Sequence, residues 1–280
     1  MAGTLYLVGT PIGNLGDMSD RARETLRRVD LVAAEDTRRT GRLLASFGIH
    51  ARTVSLFEGN ERVRTEELLD VLRGGDDVAV VSDAGMPAVS DPGFRIVRAC
   101  AEEGIDVRVV PGPSAAIAAL VVSGLPSDRW VFEGFLPRRA GERRARLRAL
   151  RNDERTVVLF ESPRRLAPLL RDVLVELGDR RAAVARELTK LHEEVVRGRV
   201  AEVLATLADR EPRGEAVVVL EGAPRPERPA LEDLVADALA LLEGGKKKRA
   251  AASEVARRHG VPANEVYEAL VRATRPTIET

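Results

Sequence analysis

Two segments of the sequence carry side chains suited to acid–base chemistry. Glu35 and Asp36 begin the run EDTRR, and Glu187 and Lys190 lie in the run ARELTK. Only four of the 44 basic residues are lysines, and Lys190 is the one that stands alone. An amine accepts a proton when its pKa is depressed, whereas a guanidinium does not. Lys190 is therefore the first candidate base; its alternative role is to pair with a phosphate or carboxylate, and Glu35 and Asp36 could instead cap the next helix.

Three glycine- and proline-rich segments each follow an apolar, strand-like run. They are VGTPIGN at 8–14, VSDAGMPAVSDPG at 81–93 and VVPGPSA at 109–115. These residue types let the backbone turn sharply and approach a ligand closely. The second segment is far longer than the roughly two to six residues of an ordinary connection. Each alone could be a turn or, at Ser114, a helix N-cap, but together they predict a pocket for a nucleoside-like ligand.

The elements that must position these segments alternate between strands and helices. Short apolar runs separated by helical patterns predict a parallel, doubly wound sheet, whose ligands lie beyond the carboxyl ends of the strands. The second half predicts another α/β domain with a mixed sheet, followed by a proline-rich linker and a small helical module. The expected domains are 1–122, 123–222 and 230–280. The predicted strands are 5–8, 31–34, 53–56, 78–81, 107–110, 130–133, 156–160, 182–185, 195–197 and 216–220, and the predicted helices include 19–28, 39–47, 60–72, 92–103, one from 114, 231–242, 250–259 and 264–272.

Composition limits the class of protein. The 44 basic residues balance the 44 acidic ones, so nucleic-acid binding would have to depend on local clusters. No apolar run approaches the roughly 18 to 20 residues of a membrane span, and the first residues lack the basic region of a signal peptide. Cys100 is the one cysteine, and we expect it in the core of a helix. His50, His192 and His259 lack metal-ligand spacing, so we expect a cytoplasmic protein with no bound metal.

Eight motifs follow one another along nearly the whole chain: VGTPIGN, AAEDTRRT, SDAGMPAVSDPG, VVPGPSA, GFLP, ESPRR, ARELTK and GEAVVVLEG. This set resembles the tetrapyrrole methylase family and, within it, more closely the branch that modifies ribosomal RNA. The resemblance implies two α/β domains with S-adenosylmethionine in the cleft between them, and a homodimer. It also implies methylation of the ribose 2′-hydroxyl of a decoding-centre cytidine in 16S ribosomal RNA, within the small ribosomal subunit.

The resemblance implies roles for individual residues. In one segment the chain departs from the family pattern, because SLFEGNE carries Phe57 and Gly59 where we expect histidines. That weakens any role for histidine there, while Glu58, Asn60 and Glu61 remain. The residues expected to bind the cofactor are Pro11, Ile12, Asp83, Gly85, Met86, Ser114, Ala115, Phe160, Leu188 and Ala216, and those expected to bind substrate are Arg38, Arg39, Asn60, Arg138, Arg139, Arg164, Lys246 and Lys247.

In such a reaction the ribose oxygen displaces the methyl group in line. Positioning can then account for about 7–11 kcal/mol of the barrier, and a base that takes the hydroxyl proton adds roughly 10²–10⁴-fold. The candidate bases are Lys190, Glu35, Asp36 and Glu187, with Lys190 first. The basic runs 138–148 and 246–249 would contact the phosphates of the RNA. Alternatively, they are solvated helix faces.

Two other functions compete with RNA methylation. A methyltransferase for tetrapyrrole precursors would share the fold and cofactor, but it would not need the EDTR run, the basic clusters or the tail. Residues 255–267 have the helix–glycine turn–helix spacing of a DNA-binding half-motif, which could instead belong to a nucleotide-sensing regulator. We interpret this tail as an auxiliary RNA-gripping module.

Overall fold

The computed structural model describes residues 2–208, 214–224 and 229–274. The chain forms two compact units, Met1–Ala223 and Pro224–Thr280. The larger unit holds two five-stranded sheets, and the smaller one holds three helices. The predicted fold class, two α/β domains of the tetrapyrrole-methylase type with a C-terminal helical module, is confirmed. Both sheets lie in one unit, so the division at residue 123 stays a prediction.

The first sheet is parallel throughout, with the strand order β3-β2-β4-β1-β5. Its central strands are continuous apolar runs because helices cover both faces. Side chains of α1 and α2 pack on one face and those of α3 and α4 on the other, which gives the doubly wound arrangement. The strands are β1 (Leu5–Val8), β2 (Leu31–Ala34), β3 (Thr53–Ser55), β4 (Val78–Val81) and β5 (Val107–Val110).

The helices of this layer begin at caps that the sequence supplies. The Ser19 hydroxyl accepts from the backbone N–H of Ala22 at the start of α1. Helix α2 begins earlier than predicted because the Asp36 carboxylate accepts from the N–H groups of Arg38 and Arg39. Cys100 is buried in α4, as expected. The helices are α1 (Asp20–Arg28), α2 (Thr37–Ser46), α3 (Glu61–Arg73) and α4 (Phe94–Glu103).

The second sheet is mixed, as predicted, with the order β6-β7-β10-β8-β9. Strands β6 and β7 are parallel, and the other neighbours are antiparallel. Helices α6, α7 and α8 cover one face, while α5 packs on the other face together with Ile12 and Leu188. The elements are α5 (Ala115–Ser123), β6 (Trp130–Phe135), α6 (Ala140–Ala149), β7 (Thr156–Glu161), α7 (Leu166–Leu177), β8 (Arg181–Arg186), β9 (Glu194–Arg199), α8 (Val200–Ala208) and β10 (Ala216–Leu220).

The smaller unit consists of α9 (Leu231–Glu243), α10 (Lys248–His259) and α11 (Ala263–Ala273). They share a small apolar core, and Gly260 ends α10 in the left-handed conformation. An imidazole–carboxylate contact of 2.7 Å between His259 and Asp237 joins α10 to α9. Among the described residues, no helix is long and apolar enough to cross a membrane.

Candidate functional site

A cleft of about 330 Å³ lies beyond the carboxyl ends of β1, β2 and β4 and against one face of the second sheet. This volume lies within the range of roughly 300–1,000 Å³ that small-molecule and cofactor sites occupy. Its walls come from both sheets, so one bound molecule would touch both halves of the unit. The lining residues are Ile12, Glu35, Arg39, Asp83, Ala84, Gly85, Met86, Val89, Ser90, Asp91, Ser114, Ala115, Phe135, Phe160, Ala185, Glu187, Leu188, Lys190, Glu215, Ala216 and Val217.

Glycines let the loops at the cleft floor approach one another. A Cβ on Gly112 would lie 2.8 Å from the backbone carbon of Gly9, so neither loop could move this close with a larger residue. The backbone N–H of Gly112 also donates to the sulfur of Met86 at 3.3 Å. Thr10 and Gly85 exchange two backbone hydrogen bonds, and Gly85 is left-handed with φ of 87°. The three glycine-rich loops therefore form one floor.

The loop after β4 is held in a strained conformation. Ala88 and Ser90 adopt positive φ angles of 66° and 63°, which cost energy for residues with a Cβ and cluster at functional sites. The loop is fixed where it enters α4, because Glu61 accepts from the backbone N–H groups of Gly93 and Arg95. Glu61, a remnant of the divergent SLFEGNE segment, thus anchors the loop that carries the cleft residues 89–91.

Carboxyl groups gather on the side of the cleft formed by the first sheet. The Glu35 carboxylate accepts from the N–H of Asp83 at 3.2 Å, while Asp83 forms an ion pair with Arg39 at 3.0 Å. Burial is the main cause of a raised pKa at Glu35. Burial and then the charge of Glu35 raise the pKa of Asp91 to about 7. The cleft therefore contains a carboxyl group that titrates near neutrality.

Asp91 is absent from the sequence prediction. It lies ten residues after the end of β4 and 56 residues from Glu35 in the chain, so no local pattern links the two. The signal available in the sequence is the second aspartate of SDAGMPAVSDPG, in a loop longer than a connection requires.

The opposite side of the cleft carries the only lysine of the larger unit. Lys190 Nζ donates to Glu187 Oε1 at 3.0 Å and lies 3.8 Å from Glu215 Oε2. Burial alone would raise the pKa of Glu187, but hydrogen bonds from Lys190 and from the Glu215 backbone lower it overall. Glu187 and Thr189 have φ angles of 50° and 65°, so this turn is strained as well.

The rest of that side is apolar. Phe160, Leu188, Ala216 and Val217 line it together with Phe135. The rings of Phe135 and Phe160 lie 5.5 Å apart, centroid to centroid. Such a wall suits a flat, weakly polar group such as a nucleobase.

The structure brings most of the predicted cofactor-binding residues together. Pro11 instead lines an adjoining hollow of about 150 Å³ that shares Arg39 and Asp83 with the cleft. Ser114 also caps α5 by accepting from Ile117 N–H. The other predicted cofactor residues all line the cleft: Ile12, Asp83, Gly85, Met86, Ser114, Ala115, Phe160, Leu188 and Ala216.

Three of the four predicted bases, Lys190, Glu35 and Glu187, line the cleft. Asp36 does not, because its carboxylate caps α2 and accepts from the Arg38 side chain at 2.9 Å. Those hydrogen bonds from Arg38 hold the pKa of Asp36 well below its usual range. A carboxylate this acidic is a poor proton acceptor near neutral pH.

The predicted substrate residues are more dispersed. Arg39 lines the cleft, whereas the Arg38 side chain is 86% exposed and paired with Asp36. The Asn60 amide is engaged in its own turn, since it accepts from Phe57 N–H and donates to Ser55. In the smaller unit, Lys246 pairs with Glu254 and Lys247 is the exposed N-cap of α10.

The basic run 138–148 differs from the expectation of a phosphate-binding cluster. Arg143 and Arg144 both pair with Asp172, and Arg146 and Arg148 pair with Glu133 and Glu176 respectively. Arg139 contacts Glu142 at 3.2 Å. The spacing of charges along α6 could not reveal these acidic partners, because they lie on other elements. Arg138 and Arg164 remain exposed and form no ion pair within the part of the chain that the structure describes.

Comparisons with known proteins identify the family. The model of the tetrapyrrole (corrin/porphyrin) methylases matches residues 4–204. The chain belongs to this family. Its methyl donor is accordingly S-adenosylmethionine.

Curated relatives are similar over most of the chain. A protein of Thermotoga maritima named ribosomal RNA small subunit methyltransferase I is 51% identical over 220 residues, which is 79% of this chain and 99% of that protein. A protein of the same name from Escherichia coli O157:H7 is 48% identical, covering 95% of this chain and 94% of its own length. Among solved structures, uroporphyrin-III C-methyltransferase from Thermus thermophilus, complexed with S-adenosylhomocysteine, is 23% identical with a TM-score of 0.57. It covers 78% of this chain and 97% of its own, and it supports the fold.

Proposed function

We propose that this protein methylates the ribose 2′-hydroxyl of a decoding-centre cytidine in 16S ribosomal RNA, using S-adenosylmethionine. The observation that carries the proposal is the cleft, which combines an apolar wall for a nucleoside with a carboxyl group that titrates near pH 7. The names of relatives at 45–51% identity support the choice of RNA. A ribosomal substrate also favours a cytoplasmic location.

The lining residues fit the cofactor in shape and charge. When bound, S-adenosylmethionine supplies a methyl group already activated on a positively charged sulfur. Asp83 and Glu35 offer negative charge on one side of the cleft, and Phe160 and Leu188 offer an apolar surface for an adenine on the other. Gly9 and Gly112 add no side chain of their own to the floor where the two loops meet. We therefore assign the predicted cofactor residues to this cleft, with Pro11 at its margin.

Residues of the chain must hold the ribose hydroxyl and accept its proton. We assign the role of general base to Asp91. Its pKa of about 7 means that a substantial fraction of the carboxyl is ionised at neutral pH and can accept a proton there. Glu35 lies close enough to raise that pKa by its charge. Lys190 Nζ contacts two carboxylates, Glu187 at 3.0 Å and Glu215 at 3.8 Å. Lys190 then serves as a fixed donor that stabilises the turn at 187–190.

Holding RNA requires cations around the cleft. We assign phosphate contacts to Arg39, which lines the cleft, and to the exposed Arg138 and Arg164. Such contacts would give an affinity for RNA that falls as the salt concentration rises. We keep Lys247 and the smaller unit as an additional RNA contact.

An exposed edge of the first sheet supports a homodimer. Strand β5 lies at the edge of the sheet and exposes Val107 and Val109, the latter at 56%. An apolar edge strand open to solvent invites pairing with another chain. Light scattering of the wild type and of Val109→Asp would test the dimer: we expect two copies in the wild type and one in the variant.

A direct assay tests the function. Purified protein is incubated with donor labelled in its methyl group and with small ribosomal subunits from cells lacking the enzyme, followed by nuclease digestion and mass spectrometry. We expect one labelled 2′-O-methylcytidine from the decoding centre. Parallel reactions contain free 16S RNA or a tetrapyrrole precursor. Label in the tetrapyrrole and none in RNA would overturn the proposal.

A further inference from the structure

Phe135 is an exposed aromatic residue at the cleft. It has been assigned neither to binding the cofactor nor to accepting the proton. Its surface is 58% exposed, although it lines the cleft. Behind it lie two further rings: Phe160 at 5.5 Å and, beyond that, Phe132 at 4.9 Å from Phe160, edge to face. Phe135 therefore packs against an aromatic neighbour on one side, while more than half of its surface is open to solvent at the cleft.

The position of Phe135 depends on a bulge in β6. Phe132 pairs with Val158, and the next paired residue is Gly134, opposite Leu159. Side chains alternate between faces along a strand, so Phe135, three residues after Phe132, would point to the opposite face in a regular strand. The extra residue, Glu133, restores Phe135 to the face of Phe132 and pairs it with Phe160. The bulge therefore aims the ring into the cleft.

One ion pair and one close backbone approach lie at the bulge. The Glu133 carboxylate is almost fully buried and accepts two hydrogen bonds from Arg146, at 2.6 and 2.8 Å. Gly134 is left-handed with φ of 59°, and a Cβ there would lie 2.8 Å from the Ser90 hydroxyl. The end of β6 thus touches the strained loop of the first half.

Cations flank the ring along the chain. The backbone carbonyls of Leu136 and Pro137 accept from the Arg165 side chain at 3.0 and 3.4 Å, which brings the segment after β6 against the segment after β7. Arg138 and Arg164, one on each of these segments, are exposed. An exposed aromatic ring with an exposed arginine on each of the two adjoining segments suits a nucleobase with its neighbouring phosphates.

We propose that Phe135 is a stacking platform for a nucleobase of the RNA, the base of the nucleotide whose ribose enters the cleft. This inference rests on the proposed function, since it concerns the same site. An enzyme that modifies a nucleotide takes it out of its stack, and proteins receive such bases on aromatic side chains. Stacking on Phe135 would hold the base outside the cleft while its ribose reaches Asp91.

Kinetics of Phe135 variants test the platform. We expect Phe135→Ala and Phe135→Leu to lower kcat/KM for small ribosomal subunits roughly 5- to 150-fold, the range for removal of one base–aromatic stack. Phe135→Trp should retain activity within a few-fold. The affinity for S-adenosylhomocysteine, measured by calorimetry, should match the wild type in all three. Val175→Ala removes an exposed apolar side chain outside the cleft and serves as the matched control.

A tryptophan reporter gives a second readout. Trp130 is the one tryptophan of the chain, so Trp130→Phe/Phe135→Trp carries a single indole at the platform. Addition of small subunits should quench its fluorescence, because a stacked base quenches an indole. Addition of S-adenosylhomocysteine alone should not.

Three other outcomes would overturn the proposal that Phe135 is a stacking platform. A loss of S-adenosylhomocysteine affinity in Phe135→Ala would assign the ring to the donor's adenine, and a change in oligomeric state would assign it to a protein interface. Full activity in Phe135→Leu would show that only an apolar surface is needed. Failure of the proposed function is distinct, because the wild type itself would then leave RNA unmethylated.

Discussion

The ammonium group of Lys190 lies 3.0 Å from the Glu187 carboxylate and 3.8 Å from that of Glu215. The pairing joins the turn after β8 to the residue that precedes β10. Gly13 lies against the same turn, since a Cβ there would come within 2.5 Å of Lys190 Cγ. Lys190 thus links the first loop of the chain to the second sheet, which is a structural role distinct from that of a proton acceptor.

Lys190 variants separate these two roles. Arginine cannot act as a base but can pair with both carboxylates, so we expect Lys190→Arg to keep turnover within a few-fold of the wild type. Lys190→Met should weaken donor binding by about tenfold, since Glu187 loses its charged partner. Steady-state kinetics and calorimetry measure both. If Lys190→Arg loses as much turnover as removal of a general base would cost, the base is Lys190 and our assignment to Asp91 is wrong.

The carboxyl of Asp91 should set the acidic limb of the pH–rate profile. A base works only when ionised, so activity of the wild type should rise with pH and level off above about 7. Asp91→Asn should lower turnover roughly 10²–10⁴-fold and abolish that rise. Glu35→Gln removes a charge that raises the Asp91 pKa, so it should shift the limb to lower pH. A limb near pH 7 that persists in Asp91→Asn would exclude Asp91.

The same carboxyl should affect stability with a definite sign. Its pKa is raised from 3.8 to about 7 in the folded protein, so the folded state binds more protons than the unfolded state between these values. Stability from this group is therefore full below about pH 4 and is lost as pH rises to 7. We expect Asp91→Asn to raise Tm relative to the wild type at pH 8, with the difference shrinking at pH 4. Thermal unfolding at both values checks this; a larger gain at pH 4 would contradict it.

The sequence predicted the strands of the central sheets well for a physical reason. Val78–Val81 and Ala216–Leu220 are apolar throughout because both faces of each strand are covered, so the run itself marks the element. The predicted helix ends were less accurate where a capping side chain decides the end. Because Asp36 caps α2, the helix begins at Thr37, two residues before the predicted start at Arg39.

Contacts between distant residues account for what the sequence did not predict. The proximity of Asp91 and Glu35 arises from strand order, since β2 and β4 are neighbours in the sheet. The bulge at Glu133 and its partner Arg146 lie on different elements. Counting arginines along α6 therefore predicted a free basic surface, where the fold has paired charges.

Because Gly9 and Gly112 approach each other closely, we expect one added methyl group at Gly112 to lower the affinity for S-adenosylmethionine strongly. Gly112→Ala would place a Cβ 2.8 Å from the Gly9 backbone, which forces two loops of the cleft floor apart. We expect a loss of S-adenosylmethionine affinity of at least tenfold by calorimetry. Gly41→Ala is the matched control, because Gly41 lies within α2 and a Cβ there meets nothing within 4 Å. That control should be stabilised by about 0.5–1 kcal/mol. Equal affinity for S-adenosylmethionine in Gly112→Ala and Gly41→Ala would show that the two loops can move apart without loss of binding, which contradicts this prediction.

The arginines of the second half divide into two groups that respond differently to mutation. Arg138 and Arg164 are exposed, with no ion pair among the described residues, so the double variant Arg138→Ala/Arg164→Ala should bind RNA more weakly. For every phosphate that the variant no longer neutralises, the salt slope of binding should fall by about 1. Folding should be unaffected, since neither side chain is buried.

Arg143 provides the opposite case. It is buried and lies 2.6 Å from the equally buried Asp172. Arg143→Ala removes the buried partner of Asp172 and leaves Arg144, at 2.7 Å, as the ion-pair partner of that carboxylate, so it should lower the free energy of unfolding by about 1–3 kcal/mol. The slope of log binding constant against log salt concentration for RNA, measured by filter binding below the unfolding temperature, should be the same for Arg143→Ala as for the wild type. A reduced slope in Arg143→Ala together with an unchanged slope in the double variant would reverse the assignment, and α6 would then be the RNA-binding face.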